Sequence, residues 1–295
     1  MNKTTNPYNS FKTLLGENHS NGVDSYLLDN SKIQGDSSSF GIVKRPKVLM
    51  YHRIVDDKSL SKKYDTCLHI DEFHRQLELL DRLNYTPITF EDYRLYLEKK
   101  IQLPQKPIFL TFDDGYLDTY KLAYPLLQEY GMKAVIFVLG DRKVKTNIWD
   151  LGQAKIAEQA ELMNDEQILE LHEDGFEIGC HTLSHLDLTQ LSSEACFQEI
   201  KKPKIILEAL LGSRVNSFSY PYGLVNEEIK RKVYRAGYWF ACSVFSGPVQ
   251  FGIDPLEIRR IAIKNNTSVA GFAARLIIPY EYLEWMWWKG ISNKN

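Results

Sequence analysis

Several things are missing from this chain, and each absence narrows its use. Residues 1–45 lack the apolar run of an export signal, so action in the cytoplasm is the expectation. A formal net charge of −2 over 295 residues leaves no basic footprint for nucleic acid. The four cysteines, Cys67, Cys180, Cys196 and Cys242, never fall at Cys-x-x-Cys spacing, which gives neither a zinc knuckle nor a disulfide scaffold. They read as reduced thiols of a cytosolic protein. No internal repeat is present. Of the 7 histidines, none follows His185, an absence that matters below.

What the chain does have is apolar content, 44% hydrophobic, enough for one large core in a single domain. Its organising stretch is Ile108-Phe109-Leu110-Thr111-Phe112-Asp113-Asp114-Gly115. The first five residues suit a strand buried on both faces. The run then ends in two adjacent carboxylates, which repel each other unless a cation or a shared proton relieves them. Gly115 lets the backbone turn sharply there. A plain helix cap is the competing use, but a cap needs only one Asp. The one close histidine pair, His181 and His185, also follows a short apolar run, Phe176 to Cys180. Its four-residue spacing predicts two imidazoles on one side of a helical turn. Asp114, His181 and His185 would then form a two-histidine, one-carboxylate set with a coordination position left open.

Periodicity places helices over residues 71–83, 90–99, 117–130, 192–211, 227–236 and 268–276, and another capped by Asn164 and ended by Gly175. Strands are expected over 47–52, 133–138, 217–220, 238–244 and 259–263, in addition to the two above. Residues 140–163 show no pattern that places them. Strands alternating with helices imply a parallel sheet with helices outside, and each chemical motif falls where a strand ends. Periodicity does not separate a barrel from an open sheet. Residues 1–45 read as a polar leader, 46–276 as the domain, and 277–295 as an aromatic tail.

Taken together, the motifs resemble those of the polysaccharide deacetylases, the NodB-homology family. Thr111-Phe112-Asp113-Asp114-Gly115 is similar to their first motif, His181-Thr182-Leu183-Ser184-His185 to their second, and Phe218-Ser219-Tyr220-Pro221-Tyr222-Gly223 to their third. The resemblance implies a distorted, incomplete (β/α) barrel of about seven parallel strands. It also implies a metal-dependent hydrolase that removes N-acetyl groups from a carbohydrate. One divalent ion, Zn2+ by preference, would be held by Asp114, His181 and His185. Asp113 would act as general base, and the Tyr222 backbone N–H, beside Pro221, would stabilise the oxyanion. A non-catalytic sugar-binding relative and a deacetylase of a small N-acyl compound are the alternatives. A phosphatase of the haloacid dehalogenase type needs Asp-x-Asp, and Gly115 occupies that position.

Two departures from the family pattern shape the remaining assignments. Most relatives draw their acid from a histidine near the C-terminus, which this chain lacks. The poly-N-acetylglucosamine deacetylase branch instead uses a Tyr-His pair near the start, which Tyr51-His52 matches, so His52 is the expected acid. Its competing use is a hydrogen-bonded histidine at a strand end. Ser219 stands where an Arg usually orients the catalytic Asp. Arg260 is the candidate replacement, unless Arg259 and Arg260 both pair with surface carboxylates such as Glu257. The tail carries Tyr280, Tyr282, Trp285, Trp287 and Trp288, too short and polar a stretch to span a bilayer. Packing over the barrel, self-association, peripheral membrane contact and stacking on sugar are all open uses for it.

Overall fold

The computed structural model describes residues 46–150, 159–244 and 254–278. The expected leader and all of the aromatic tail beyond Ile278 lie outside these residues. The strands are Lys47–Tyr51 (β1), Arg53–Val55 (β2), Cys67–His69 (β3), Thr86–Pro87 (β4), Pro107–Phe112 (β5) and Val135–Val138 (β6). They continue with Glu177–Cys180 (β7), Ser217–Ser219 (β8), Phe240–Ser243 (β9), Ile258–Arg259 (β10) and Ile261–Ala262 (β11). Eight of them pair in the order β10-β9-β8-β7-β6-β5-β1-β11, all in parallel, with β4 added beside β5. The result is a nearly closed parallel barrel with one unsealed seam and helices around it, built on eight strands rather than about seven. β2 and β3 form a separate parallel pair at its edge.

The seam falls inside the segment expected as one strand. Ile258 and Arg259 pair with β9, whereas Ile261 and Ala262 pair with β1. Arg260, between them, is where the chain changes partner, and this splits the strand in two.

Alternation decides what faces the lumen. Ile108, Leu110 and Phe112 pack outward with Leu49 and Tyr51, against helix residues Phe73, Leu77, Leu80 and Leu127. Phe109 faces inward with Val48, Val135, Phe137 and Phe240. Phe90 closes the floor, stacked on Phe109 at 4.6 Å and on Phe240 at 5.3 Å between ring centroids. By the same parity Thr111 and Asp113 point inward, above this aromatic floor.

Apart from the first, which no periodicity marks, the helices follow the sequence signals. They are Lys58–Lys63 (α1), Ile70–Arg82 (α2), Phe90–Leu97 (α3), Tyr124–Glu129 (α4), Asp165–Glu173 (α5), Ser193–Leu211 (α6), Glu227–Arg235 (α7) and Val269–Ile277 (α8). Thr89 and Asn164 each close a capping box, and Ser192, Asn226 and Ser268 cap by side chain. The helix expected over 117–130 forms differently, as a π-helical turn over Thr119–Ala123 that leads into α4. Pro125, in the first turn of α4, has no N–H to give to the preceding turn, so the α register starts only there. α6 runs on through Pro203. No helix among the described residues is long and apolar enough to cross a membrane.

Candidate active site

The two carboxylates at the end of β5 go separate ways. Asp113 continues the inward parity of the strand. Asp114 takes a left-handed conformation (φ 75°), as does Gly115 (φ 72°), and this turns the Asp114 carboxylate to the C-terminal mouth of the barrel. Strain of this kind clusters here. Six non-glycine residues among those described have positive φ, and four of them are Asp114, Thr182, His185 and Tyr222. Each such residue costs on the order of 1–3 kcal/mol, so the surrounding fold holds them in place.

The histidine pair does not lie on a helical turn, contrary to the spacing argument. The backbone turns left-handed at Thr182 (φ 62°) and again at His185 (φ 63°), and the Thr182 hydroxyl accepts the His185 N–H at 2.9 Å. Ser184 is tied by its N–H and hydroxyl to the Glu199 carboxylate of α6. This tight turn, rather than helix periodicity, brings both rings to one point. Asp114, His181 and His185 are all buried, and one ligand atom from each lies within 4.8 Å of the other two. Asp114 Oδ1 is 3.1 Å from His181 Nε2 and 3.2 Å from His185 Nε2.

These residues fit a divalent cation. Asp114 Oδ1 is buried without a hydrogen bond of good geometry, although two imidazoles crowd it. His181 Nδ1 lies 2.8 Å from the Ser219 carbonyl, so it carries the proton and leaves the Nε2 lone pair facing Asp114. One carboxylate and two neutral nitrogens are the donor set of open catalytic zinc sites. Burial opposes ionisation of Asp114, yet the two imidazoles outweigh it and hold the carboxyl well below its ordinary range. Burial likewise opposes charge on His181, while Asp114, Asp113 and the Ser219 carbonyl raise it.

Asp113 is gripped from the opposite side. Arg260 Nη1 donates to its Oδ1 at 2.7 Å and Arg260 Nη2 to its Oδ2 at 2.6 Å, a two-pronged pair with both side chains sealed from solvent. Arg260 also donates to Thr111 Oγ1, Ser219 Oγ and the Ser243 carbonyl, and its guanidinium sits over the Phe137 ring at 5.6 Å. Complete burial pushes the Asp113 carboxyl up, but Arg260 wins and keeps it below its ordinary value. Arg259, by contrast, pairs with Glu257 at 3.0 Å, so the two arginines part company. Ser219 links both halves, its carbonyl on His181 and its hydroxyl 3.3 Å from Asp113.

His52 follows β1 directly and is partly exposed. Its imidazole is near enough to both Asp113 and Asp114 to help keep them ionised. Pro221 is buried and Tyr222 half-exposed, in a short 3-10 turn after β8. The Tyr222 ring meets His185 edge-on at 4.9 Å. Every candidate named from the sequence therefore lies at this end of the barrel.

Sequence reasoning missed several neighbours. Trp149 stacks on the His185 ring at 4.5 Å and 21°. It is presented by a 3-10 turn, Ile148–Asp150, whose Asp150 Oδ2 accepts from Asn147 Nδ2 at 3.0 Å and from the Tyr116 hydroxyl at 3.3 Å. This turn lies in the stretch without periodicity, and nothing in the residue pattern marks it. Burial, with the Asp114 charge nearby, raises the Asp150 carboxyl.

A near-closed α/β barrel with a buried Asp-His-His cluster at the C-terminal ends of its strands has its candidate metal ligands where barrel enzymes place their active sites. Residues 100–241 match the family model for polysaccharide deacetylase. The Bacillus subtilis protein YxkH, assigned by name to the polysaccharide deacetylases, is 28% identical over 248 residues, covering 82% of this chain and 81% of that one. A poly-beta-1,6-N-acetyl-D-glucosamine N-deacetylase of Staphylococcus epidermidis is 24% identical over 204 residues, 66% of this chain and 67% of its own. Among solved structures, the Streptococcus pyogenes deacetylase PplD, in complex with acetate, superposes with a TM-score of 0.68 at 25% identity, covering 80% of this chain and all of its own. Over residues 100–241, which hold Asp113, Asp114, His181, His185 and Tyr222, the chain is similar to the polysaccharide deacetylase family.

Proposed function

We propose that the protein is a zinc-dependent carbohydrate N-deacetylase, hydrolysing the N-acetyl group of an amino sugar in a glycan or glycan precursor. The observation that carries this reading is the division of labour between the adjacent carboxylates. Asp114 joins two histidines in a metal-ligand set, while Asp113 is kept off that set by a buried arginine. Similarity to named N-acetylglucosamine polymer deacetylases supplies the substrate class. A non-catalytic sugar binder has no use for this arrangement.

When bound, the ion supplies Lewis acidity at the acetyl carbonyl and lowers the pKa of water toward neutrality. The protein's own groups do the rest. Asp113 takes the proton of the attacking water. Its pairing with Arg260 keeps the group ionised, and with the Ser219 hydroxyl on Oδ2 it is Oδ1 that retains a second lone pair. The Tyr222 N–H donates to the developing oxyanion, a role supported by the left-handed turn at Tyr222 and by the contact of its ring with His185. His52 gives its proton to the departing amine nitrogen. Trp149 and Tyr222 shield two sides of His185 from water.

Acetate release from N-acetylglucosamine oligomers should be abolished by a chelator and restored by zinc. A protein that binds these oligomers but releases no acetate under any metal would overturn the reading. The acid is tested separately through the leaving group. An amine must be protonated to leave, whereas 4-nitrophenolate leaves unaided. His52→Ala should therefore lose about 100-fold or more in deacetylation of the oligomer, and far less in hydrolysis of 4-nitrophenyl acetate. Equal losses on both substrates would remove His52 from the acid role.

A further inference from the structure

His52 is bracketed along the chain by bonds that all reach the loop carrying Asp113 and Asp114. On one side, the Tyr51 carbonyl accepts the Asp113 N–H at 3.0 Å. At His52 itself, the carbonyl is 3.5 Å from the Thr119 hydroxyl. On the other side, Arg53 Nε donates to Asp118 Oδ2 at 2.7 Å, with both side chains largely buried. The Arg53 guanidinium lies over the Tyr116 ring at 5.4 Å, and the Tyr116 hydroxyl reaches Asp150, beside the Trp149 that stacks on His185. A chain of contacts thus runs from the residue after His52 to the far face of the metal set.

We propose that Arg53 and Asp118 form a positioning clamp that fixes the His52 imidazole relative to Asp113 and Asp114. The proposal rests on the reading of His52 as the acid. Neither residue touches the metal ligands or the Asp113 carboxylate in the contacts described above. The pair is a poor stability device: Arg53 Nη1 and Asp118 Oδ1 are both buried without a hydrogen-bond partner. A desolvated ion pair with unmet donors and acceptors contributes little net stability, so its effect here is geometric. Proton delivery depends steeply on that geometry, since a displacement of about 1 Å can cost roughly 100-fold in rate.

The test is a double-mutant cycle with zinc-loaded full-length protein and N-acetylglucosamine oligomers. Asp118→Asn should lower kcat for acetate release at least tenfold, with KM within about twofold and one zinc per chain retained. In a His52→Ala background the same substitution should change the residual rate by less than twofold, because the group it positions is gone. An unchanged kcat in Asp118→Asn, or a further tenfold loss on top of His52→Ala, would overturn the clamp while leaving His52 as the acid. A His52→Ala enzyme with wild-type turnover would overturn both. If Asp118→Asn does not fold, Arg53→Lys is carried through the same cycle with the same expectations, since lysine keeps the charge but not the Nε–H contact.

Discussion

Asp114→Ala is expected to purify without stoichiometric zinc and to lose at least about 1,000-fold in acetate release, roughly 4 kcal/mol of barrier. The size of the effect follows from the geometry. Asp114 Oδ1 sits between the two Nε2 atoms and is the only anionic donor of the set, with no hydrogen bond of good geometry to occupy it. Removing it leaves two neutral imidazoles, too weak a pair to retain the ion through dialysis. His181→Ala and His185→Ala should behave alike. Asp113→Asn should separate binding from chemistry: the metal stays, because Asp113 belongs to the arginine, and turnover disappears. Elemental analysis of dialysed protein beside the acetate assay decides this. An Asp114→Ala protein that keeps both its zinc and its activity would refute the ligand assignment.

Arg260→Met is expected to cost about 3–5 kcal/mol of folding stability at neutral pH, together with most of the activity. Asp113 is sealed in the lumen, above the aromatic floor, and Arg260 is its charge partner. The pH dependence gives this prediction a sign. In the wild type the folded Asp113 carboxyl is held below its ordinary value, because Arg260 outweighs the opposing effect of burial. Its contribution to stability is therefore present above the unfolded carboxyl pKa and is lost as pH falls through the folded one. Without the arginine, burial acts unopposed by that charge and raises the folded carboxyl. The variant then tolerates acid and loses stability as pH rises through the raised value. The deficit relative to wild type should be smallest near pH 4 and largest near pH 7, as read by denaturant titration of metal-free protein. A deficit that stays constant across that range would mean that lost packing, not an orphaned charge, is what the substitution exposes.

How much of this was legible in the sequence depended on whether a signal was local. The strand ending in Asp113-Asp114-Gly115 announces itself, since a fully buried strand has no reason to end in two acids unless something relieves them. The histidine pair was legible as a ligand pair but not in conformation. Four-residue spacing suggests a helix, and only the fold reveals the left-handed residues at Thr182 and His185 that converge the rings. Arg260 was visible as a charge in an apolar strand. Its reach to Asp113 depends on the seam, where one segment leaves β9 and joins β1. Trp149 and Asp150, in the stretch without periodicity, meet His185 and Tyr116, each more than 30 positions away along the chain. No window of sequence contains that information. The Arg53–Asp118 pair is similarly non-local, joining the edge strand β2 to the turn after the acids.

Anomalous diffraction at the zinc absorption edge, from crystals of protein loaded with one equivalent of zinc, tests the central claim most directly. A single strong peak bonded to the Asp114 carboxylate and to Nε2 of His181 and His185, with Asp113 still held by Arg260, is the predicted result. A peak ligated by other residues, or no peak at those three atoms under saturating zinc, would contradict it.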